Sequence, residues 1–241
     1  MEWLDEGLLL RTQPHGESNL IATFFTHYHG LTTGYIRTNK KYPLQPGNLY
    51  HIRNKSRLET QMGLFTVEPH ETFAPILCAA LISPIKLACM NAIRTLLIRS
   101  LIDHDIKEDL YTRLKQHIHE ICLNANIGHY VLFEKDLLAY CGFGLDLTRC
   151  AVTNAQENLA YVSPRTGRAV TESVGSPYKD QLFHLPAPFA YSNTPWSKPD
   201  ILDGLKITGH FIRRMLQEHL HRDVPPERGF VITLINKLKE S

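Results

Sequence analysis

Short runs of apolar, β-branched and aromatic residues, separated by glycine- and proline-containing turns, occupy the first 70 residues. The candidate strands are Gly7–Thr12, Asn19–Tyr28, Leu31–Thr38, Asn48–Asn54 and Gln61–Pro69. Five strands at this spacing predict a small β-barrel. A five-stranded OB-type barrel over residues 1–72 is the commonest such fold, and an SH3-like barrel is the alternative.

The hydrophobic period changes to a helical one after Phe73. Apolar side chains then recur every three or four residues in two stripes, Met90, Ile93, Leu97, Leu101 and Leu110, Leu114, Ile118, Ile121. Helices with one apolar stripe pack together as a bundle. Ser83-Pro84 should break the first long helix, because proline removes a backbone donor and clashes with the preceding turn.

A stretch rich in Gly, Pro and Ser follows the bundle at residues 142–198, and two further helices are predicted at Pro199–Leu220 and Pro226–Lys239. The fold class is therefore predicted as α+β. An N-terminal five-stranded OB-type β-barrel precedes an α-helical domain over residues 73–241, which contains an irregular insertion at 142–198.

Composition excludes several other classes. No run of about 18 apolar residues occurs, so we expect no membrane association. The N-terminus has acidic residues before its apolar run, unlike a secretory signal. The five cysteines are odd in number and widely spaced, which is typical of reduced thiols. These observations predict a cytoplasmic protein.

Positive charge is concentrated in one segment although the whole chain carries only +2. Residues 18–58 contain no Asp or Glu. The same segment contains six cations, namely Arg37, Lys40, Lys41, Arg53, Lys55 and Arg57. Such a field attracts polyanions, and we predict that these six residues contact nucleic-acid phosphates. The alternative is a solvated surface whose cations pair with acids from elsewhere in the fold.

Aromatic residues are interleaved with these cations. Tyr35 and Tyr42 flank the first three of them, so we predict that both tyrosines stack on bases. Ordinary packing of their rings is the alternative.

Motifs for catalysis or metal binding are weak or absent. There is no C-x-x-C pair, and CGFGLD at 141–146 follows a helix and lacks the remaining features of a nucleotide-binding loop. His27 and His29 would lie on one side of a strand, but no carboxylate accompanies them. We therefore predict a non-enzymatic binding protein with no metal and no cofactor. A metal hydrolase that uses the two histidines is a remote alternative.

Several segments carry a family resemblance. MEWLDEGLLLRTQPHGES, TFFTHYHGLTTGYIR, CGFGLDLTRCAVT and LAYVSPRTGRAV resemble the RecO family of DNA repair proteins, particularly its alphaproteobacterial branch. Many members of that family bind zinc through two C-x-x-C pairs. Cys150 keeps the first of these positions here, Thr153 replaces the second, and the other pair is missing around residues 167–170. The chain thus resembles a zinc-less branch.

The resemblance implies a role in DNA repair and recombination at the nucleoid. Such proteins bind single- and double-stranded DNA, anneal complementary strands and assist the loading of RecA together with RecR. The acidic, hydrophobic C-terminal tail of single-stranded-DNA-binding protein is a further implied partner. Its receptor would need an apolar groove rimmed by cations, for which the helical centre offers Lys86, Arg94, Arg99, Arg113 and Lys115. A protein–protein adaptor whose barrel docks acidic partner tails is the competing interpretation.

Overall fold

The computed structural model describes residues 1–37, 43–57, 62–191 and 194–238. Its N-terminal part is a closed barrel with the strand order β1-β2-β3-β5-β4. The strands are β1 (Glu2–His15), β2 (Asn19–Thr26), β3 (Gly30–Arg37), β4 (Leu49–Lys55) and β5 (Leu64–Pro69). The prediction of a five-stranded, OB-like barrel is confirmed.

The long strand β1 closes the barrel because it pairs along its length with both β2 and β4. Its register shifts between Leu9 and Arg11, and this bulge bends the strand around the barrel. Strands β3 and β5 are joined in parallel at Tyr35 and Leu64.

The barrel strands are apolar on both faces, because the two faces bury against different partners. Inward-facing residues form a small core, namely Leu9, Ala22, Phe24, Ile36, Tyr50, Ile52 and Phe65. Outward-facing residues at one side join the core of the helical part instead, namely Leu8, Leu10, Phe25, Leu31 and Leu49. The continuous apolar run at the start of the chain reflects this double burial.

Four helices follow the barrel. They are α1 (Ala74–Leu81), α2 (Pro84–Ser100), α3 (Glu108–Cys122) and α4 (Gly128–Tyr140). Pro84 occupies the first turn of α2, where its missing N–H has no helical partner to lose, so the predicted break at Ser83-Pro84 is observed.

A small sheet lies in the segment that was predicted to be irregular. Strands β6 (Leu159–Val162), β7 (Ala169–Thr171) and β8 (Phe183–His184) pair in the order β7-β6-β8. Three short helices accompany them, namely α5 (Glu172–Gly175), a 3₁₀ helix (Ser176–Gln181) and α6 (Ala187–Ala190). The strands have only two to four residues, too few to produce a readable alternation.

Two long helices complete the described chain. Helix α7 (Lys198–Arg213) begins with a capping box between Ser197 and Asp200, and it continues as a π-helical segment at Arg214–His219. Helix α8 (Pro226–Lys237) begins at the predicted proline. Both predicted helices are observed, although residue 239 lies outside the described residues.

None of the helices in the described ranges is by itself long and apolar enough to cross a membrane. Only the sharply bent pair Glu71–Leu81 and Pro84–Ser100, which meets at 119°, satisfies length and composition when taken together.

The barrel is held against the helices by specific contacts. The rings of Phe25 and His27 pack on Tyr111 of α3. Arg94 of α2 donates from Nε to the carbonyl oxygen of Leu10 at 2.8 Å. Lys115 Nζ of α3 lies 2.8 Å from the Glu6 carboxylate. These contacts cover one side of the barrel with helices and leave the opposite side exposed to solvent.

Candidate nucleic-acid interface

The open side of the barrel is formed by outward-facing residues of β3, β5 and β4. Tyr35 lies opposite Leu64, and Leu64 lies opposite Lys55. Arg53 lies opposite Thr66 in the next outward row. We call this surface the outer barrel face and define it by Tyr35, Arg37, Arg53, Lys55, Leu64 and Thr66.

Strand geometry brings several of the predicted cations onto this face. Arg53 and Lys55 are two residues apart on β4, so their side chains leave the same side of the sheet. Arg37 ends β3 on the same side as Tyr35. Arg37, Lys55 and Arg57 are exposed, and so is the Arg53 side chain. Lys40, Lys41 and Tyr42 lie outside the described residues.

Neighbouring strands bring carboxylates that the sequence segment itself lacks. Glu2 lies opposite Lys55, and its carboxylate approaches Arg53 Nε to 4.0 Å. Both side chains of this pair are more than half exposed, so water screens their attraction strongly. Glu6 lies further along β1, and Lys115 and His70 already contact its carboxylate. The cations of the outer barrel face are therefore only partly offset.

The aromatic residue of this face is half-buried. The Tyr35 ring lies 5.1 Å from the ring of His15, at an interplanar angle of 48°. One face of a partly exposed ring remains a suitable platform for a base.

A further cation of the barrel, Arg11, gives no signal in the sequence pattern. Arg11 leaves β1 next to Thr23 of β2, and its Nε donates to the Thr23 hydroxyl at 3.3 Å. It lies outside the acid-free segment in sequence, and the pairing of β1 with β2 places it beside Thr23 of that segment.

The two histidines of the first turn do not converge on a common point. His27 stacks between Tyr28 and Tyr111, with centroid distances of 4.1 and 5.1 Å. The Nδ1 atom of His29 bonds the buried Asp5 carboxylate at 2.8 Å. Within the described ranges, no group of three or more His, Cys, Asp or Glu side chains could hold a metal ion.

Cys150 packs inside the small sheet region. Its sulfur accepts hydrogen bonds from the backbone N–H groups of Val152 and Thr171, at 3.5 and 3.4 Å. Burial raises the pKa of this thiol, but hydrogen bonds from Thr153, Thr171 and Val152 together outweigh burial and lower it. Protein groups thus donate hydrogen bonds to the sulfur of Cys150.

The five cations predicted to bind a partner tail do not form one cluster. Arg94 and Lys115 are engaged between the barrel and the helices, and burial lowers the pKa of Arg94. Arg113 pairs with Asp136 at 3.3 Å on the surface. Lys86 bonds the carbonyl oxygen of Cys122, and Arg99 is exposed at the end of α2.

Lys86 does lie beside exposed apolar side chains. Ile82 is 86% exposed just before α2, and Leu81 precedes it at 45%. Leu123 follows Cys122 at the end of α3 and is 43% exposed. We call Leu81, Ile82 and Leu123 the α1–α3 patch. This patch is an apolar surface, and the neighbouring Lys86 places a cation at its edge.

Known proteins resemble the chain over its full length. Residues 1–73 match the family model "Recombination protein O N terminal", and residues 83–223 match "Recombination protein O C terminal". A DNA repair protein RecO from Cereibacter sphaeroides is 39% identical over 98% of both chains. Relatives of the same name are 34% identical in Methylocella silvestris, over 100% of this chain and 98% of the relative, and 38% identical in Dinoroseobacter shibae, over 94% of each.

The gap between the two family models, at residues 74–82, follows the end of the barrel strands at Pro69. The chain belongs to the RecO family of DNA repair proteins.

Proposed function

We propose that this protein binds single- and double-stranded DNA through the outer barrel face, anneals complementary strands and, with RecR, assists the loading of RecA, without covalent chemistry of its own. The observation that carries the proposal is the cross-strand row of Tyr35, Leu64 and Lys55, with Arg37 and Arg53 beside it. This row combines a base-stacking surface with phosphate-binding cations. Lys40, Lys41 and Tyr42 remain part of the proposed interface.

Annealing requires only that the repulsion between two phosphate backbones be reduced. Cations that contact the phosphates release condensed counterions, so the approach of a second strand costs less free energy. Stacking on an aromatic platform holds bases away from their own strand and available for pairing. The partly offset charge of the outer barrel face suits transient holding, because the strands must leave after pairing.

Salt dependence tests the assignment. If about five cations contact phosphates, the logarithm of the affinity for single strands should fall with the logarithm of salt with a slope of roughly −3.5. The double variant Arg53→Ala/Lys55→Ala should make this slope shallower by roughly 1.4. Lys179→Ala/Lys237→Ala is the matched control, since both lysines are exposed and lie outside the barrel. An unchanged slope in the first variant would reject the outer barrel face.

Annealing itself is measured with complementary fluorescent oligonucleotides, with and without the coating protein. The Arg53→Ala/Lys55→Ala variant should anneal more slowly than the parent under both conditions. Equal annealing rates would contradict the mechanism even if DNA binding were weakened.

For the acidic, hydrophobic tail of single-stranded-DNA-binding protein, we propose the α1–α3 patch with Lys86 as the receptor. Arg99 and Arg113 are the further candidate cations, whereas Arg94 and Lys115 serve the contact between barrel and helices. Ile82→Glu should weaken binding of a tail peptide at least tenfold, because it places a negative charge in the apolar surface, where it repels the acidic tail. Ile102→Glu is the control, since Ile102 is 63% exposed elsewhere.

The adaptor interpretation makes a different prediction for the same peptide. If the barrel docks acidic tails, the peptide should displace a DNA oligonucleotide from it, and Ile82→Glu should have no effect on that competition. Independent binding of peptide and oligonucleotide favours the DNA-binding function.

A further inference from the structure

One end of the barrel opens into a cavity of about 310 Å³. Three inward-facing side chains on adjacent strands line it in a single row. Trp3 of β1 lies opposite Asn54 of β4, and Asn54 lies opposite Phe65 of β5. The segment after α2 closes one side through Asp103 and His104. A cavity at the lower end of the usual range for ligand sites admits one ring system rather than a length of strand.

The wall of the cavity contains a buried polar atom without a hydrogen-bond partner. Asn54 is only 6% exposed, and its Oδ1 has no hydrogen-bond partner among the described residues. The side chain fills space that Gly63 leaves open, since a Cβ there would lie 1.8 Å from Oδ1. A carboxamide offers both donors and an acceptor, which is the combination that base edges recognise.

The walls of the cavity favour a flat, uncharged occupant. Trp3 stacks on the ring of His29 at 4.0 Å and 15°, and Phe65 lies 5.7 Å from Trp3. His29 is held in place by the buried carboxylate of Asp5. Asp103 and Met1, which carries the N-terminal ammonium, both line the opening, so charges of both signs lie there and the aromatic walls decide the occupant.

We propose that this cavity takes one unpaired nucleobase from a strand that lies on the outer barrel face, an inference that rests on the proposed function. Along β4, Asn54 points inward and the next residue, Lys55, points outward. Along β5, Leu64 points outward and Phe65 inward. Successive residues of a strand rise by about 3.3 Å, so a phosphate bound by Lys55 lies close to the edge of the cavity. The base of the same nucleotide can then rotate from the outer barrel face into the cavity. Trp3 and Phe65 then contact the ring, and Asn54 bonds its edge.

Asn54→Leu tests the assignment with little change in side-chain size. Because it removes a buried amide oxygen that has no partner, the variant should unfold at or above the temperature of the parent. Binding is compared by fluorescence anisotropy for a thymidine oligonucleotide and for a strand of equal length made of abasic sites. The parent should prefer the thymidine strand by roughly tenfold, as base stacking on aromatic side chains predicts.

The variant should lose several-fold of this preference, because the base edge loses its hydrogen bond while Trp3 and Phe65 remain, and it should keep both its affinity and its salt slope for the abasic strand. Asn124→Leu, an exposed asparagine at the end of α3, should behave like the parent. In a Trp196→Phe background Trp3 is the remaining tryptophan, and its fluorescence should be quenched by the thymidine strand only.

Four results would overturn the proposal. If the parent binds both strands equally, the cavity takes no base, although the phosphate contacts of the outer barrel face stand. If Asn54→Leu keeps the preference, the bases stack elsewhere, for example on Tyr35. If free thymidine quenches Trp3 as tightly as the oligonucleotide does, the site binds a soluble nucleoside rather than a strand. Failure of both strands to bind the parent would refute the proposed function and this inference together.

Discussion

Replacing Arg228 by methionine should destabilise the helical part more than any exposed substitution would. Arg228 Nε and Nη2 lie 2.9 and 3.0 Å from the two carboxylate oxygens of Glu134, whose side chain is completely buried. The same guanidinium donates to the carbonyl oxygen of Leu205 at 2.7 Å. Burial alone would lower the pKa of Arg228, but the Glu134 carboxylate outweighs it and raises the pKa. One side chain therefore connects α4, α7 and α8.

The magnitude follows from the charge that is left behind. Removing one partner of a buried ion pair typically costs about 3–5 kcal/mol, because the other charge stays buried without compensation. At roughly 2–4 °C per kcal/mol for a chain of this size, Arg228→Met should lower the melting temperature by roughly 6–20 °C. Calorimetry or urea unfolding at pH 7 measures this loss.

The double variant Glu134→Leu/Arg228→Met is the control, and it should recover most of the stability because no unpaired charge remains. Gly209→Ala tests the same pair from another side. Alanine normally stabilises a helix by about 1 kcal/mol relative to glycine. Here the new Cβ would lie 2.6 Å from an Arg228 nitrogen, so we expect a loss instead. An Arg228→Met variant within about 0.5 kcal/mol of the parent, the usual range for surface changes, would refute this reasoning.

Two further predictions concern the barrel–helix connection and acid sensitivity. Gly30 has φ +63°, and a Cβ there would lie 2.3 Å from the Asp105 carbonyl oxygen, so Gly30→Ala should cost at least about 1–2 kcal/mol in urea unfolding. Burial, followed by the nearby His117, lowers the pKa of His129, so the unfolded chain takes up a proton more readily than the folded one. Stability should therefore fall as the pH drops below about 6.5, and His129→Gln should flatten this dependence between pH 7 and 5. If the urea midpoints of the parent and of His129→Gln change equally with pH, His129 is not the source of this acid sensitivity.

The barrel was predictable because its strands carry a local signal. Turn residues separate the strands, and β-branched and aromatic residues fill them, so the strand count required no knowledge of pairing. The helical part was equally readable from its apolar stripes. The small sheet of β6, β7 and β8 was not, because its strands are short and are held by distant partners, such as Tyr161 opposite His184.

The candidate sites show the same limit. The acid-free segment drew attention to Arg53 and Lys55, but only the strand register shows that Glu2 lies opposite Lys55. Likewise, Trp3, Asn54 and Phe65 are scattered in sequence and meet only because β1, β4 and β5 are neighbours. A charge run gives the sign of a surface, whereas strand pairing decides what faces it.

A lysine of the helical part, Lys115, also neutralises a carboxylate of the barrel. Lys115 bonds Glu6, which lies opposite His51, two residues before Arg53 on β4. At about 3.3 Å per residue, Glu6 is within the screening length of the outer barrel face, which is about 8 Å at physiological salt. Lys115→Met should therefore weaken DNA binding by roughly twofold at low salt, as one exposed charge contributes about 0.5 kcal/mol. Adding Glu6→Gln should restore binding, since the uncompensated carboxylate is then removed. If the double variant binds as weakly as Lys115→Met alone, the lysine acts by contacting DNA and not by neutralising Glu6.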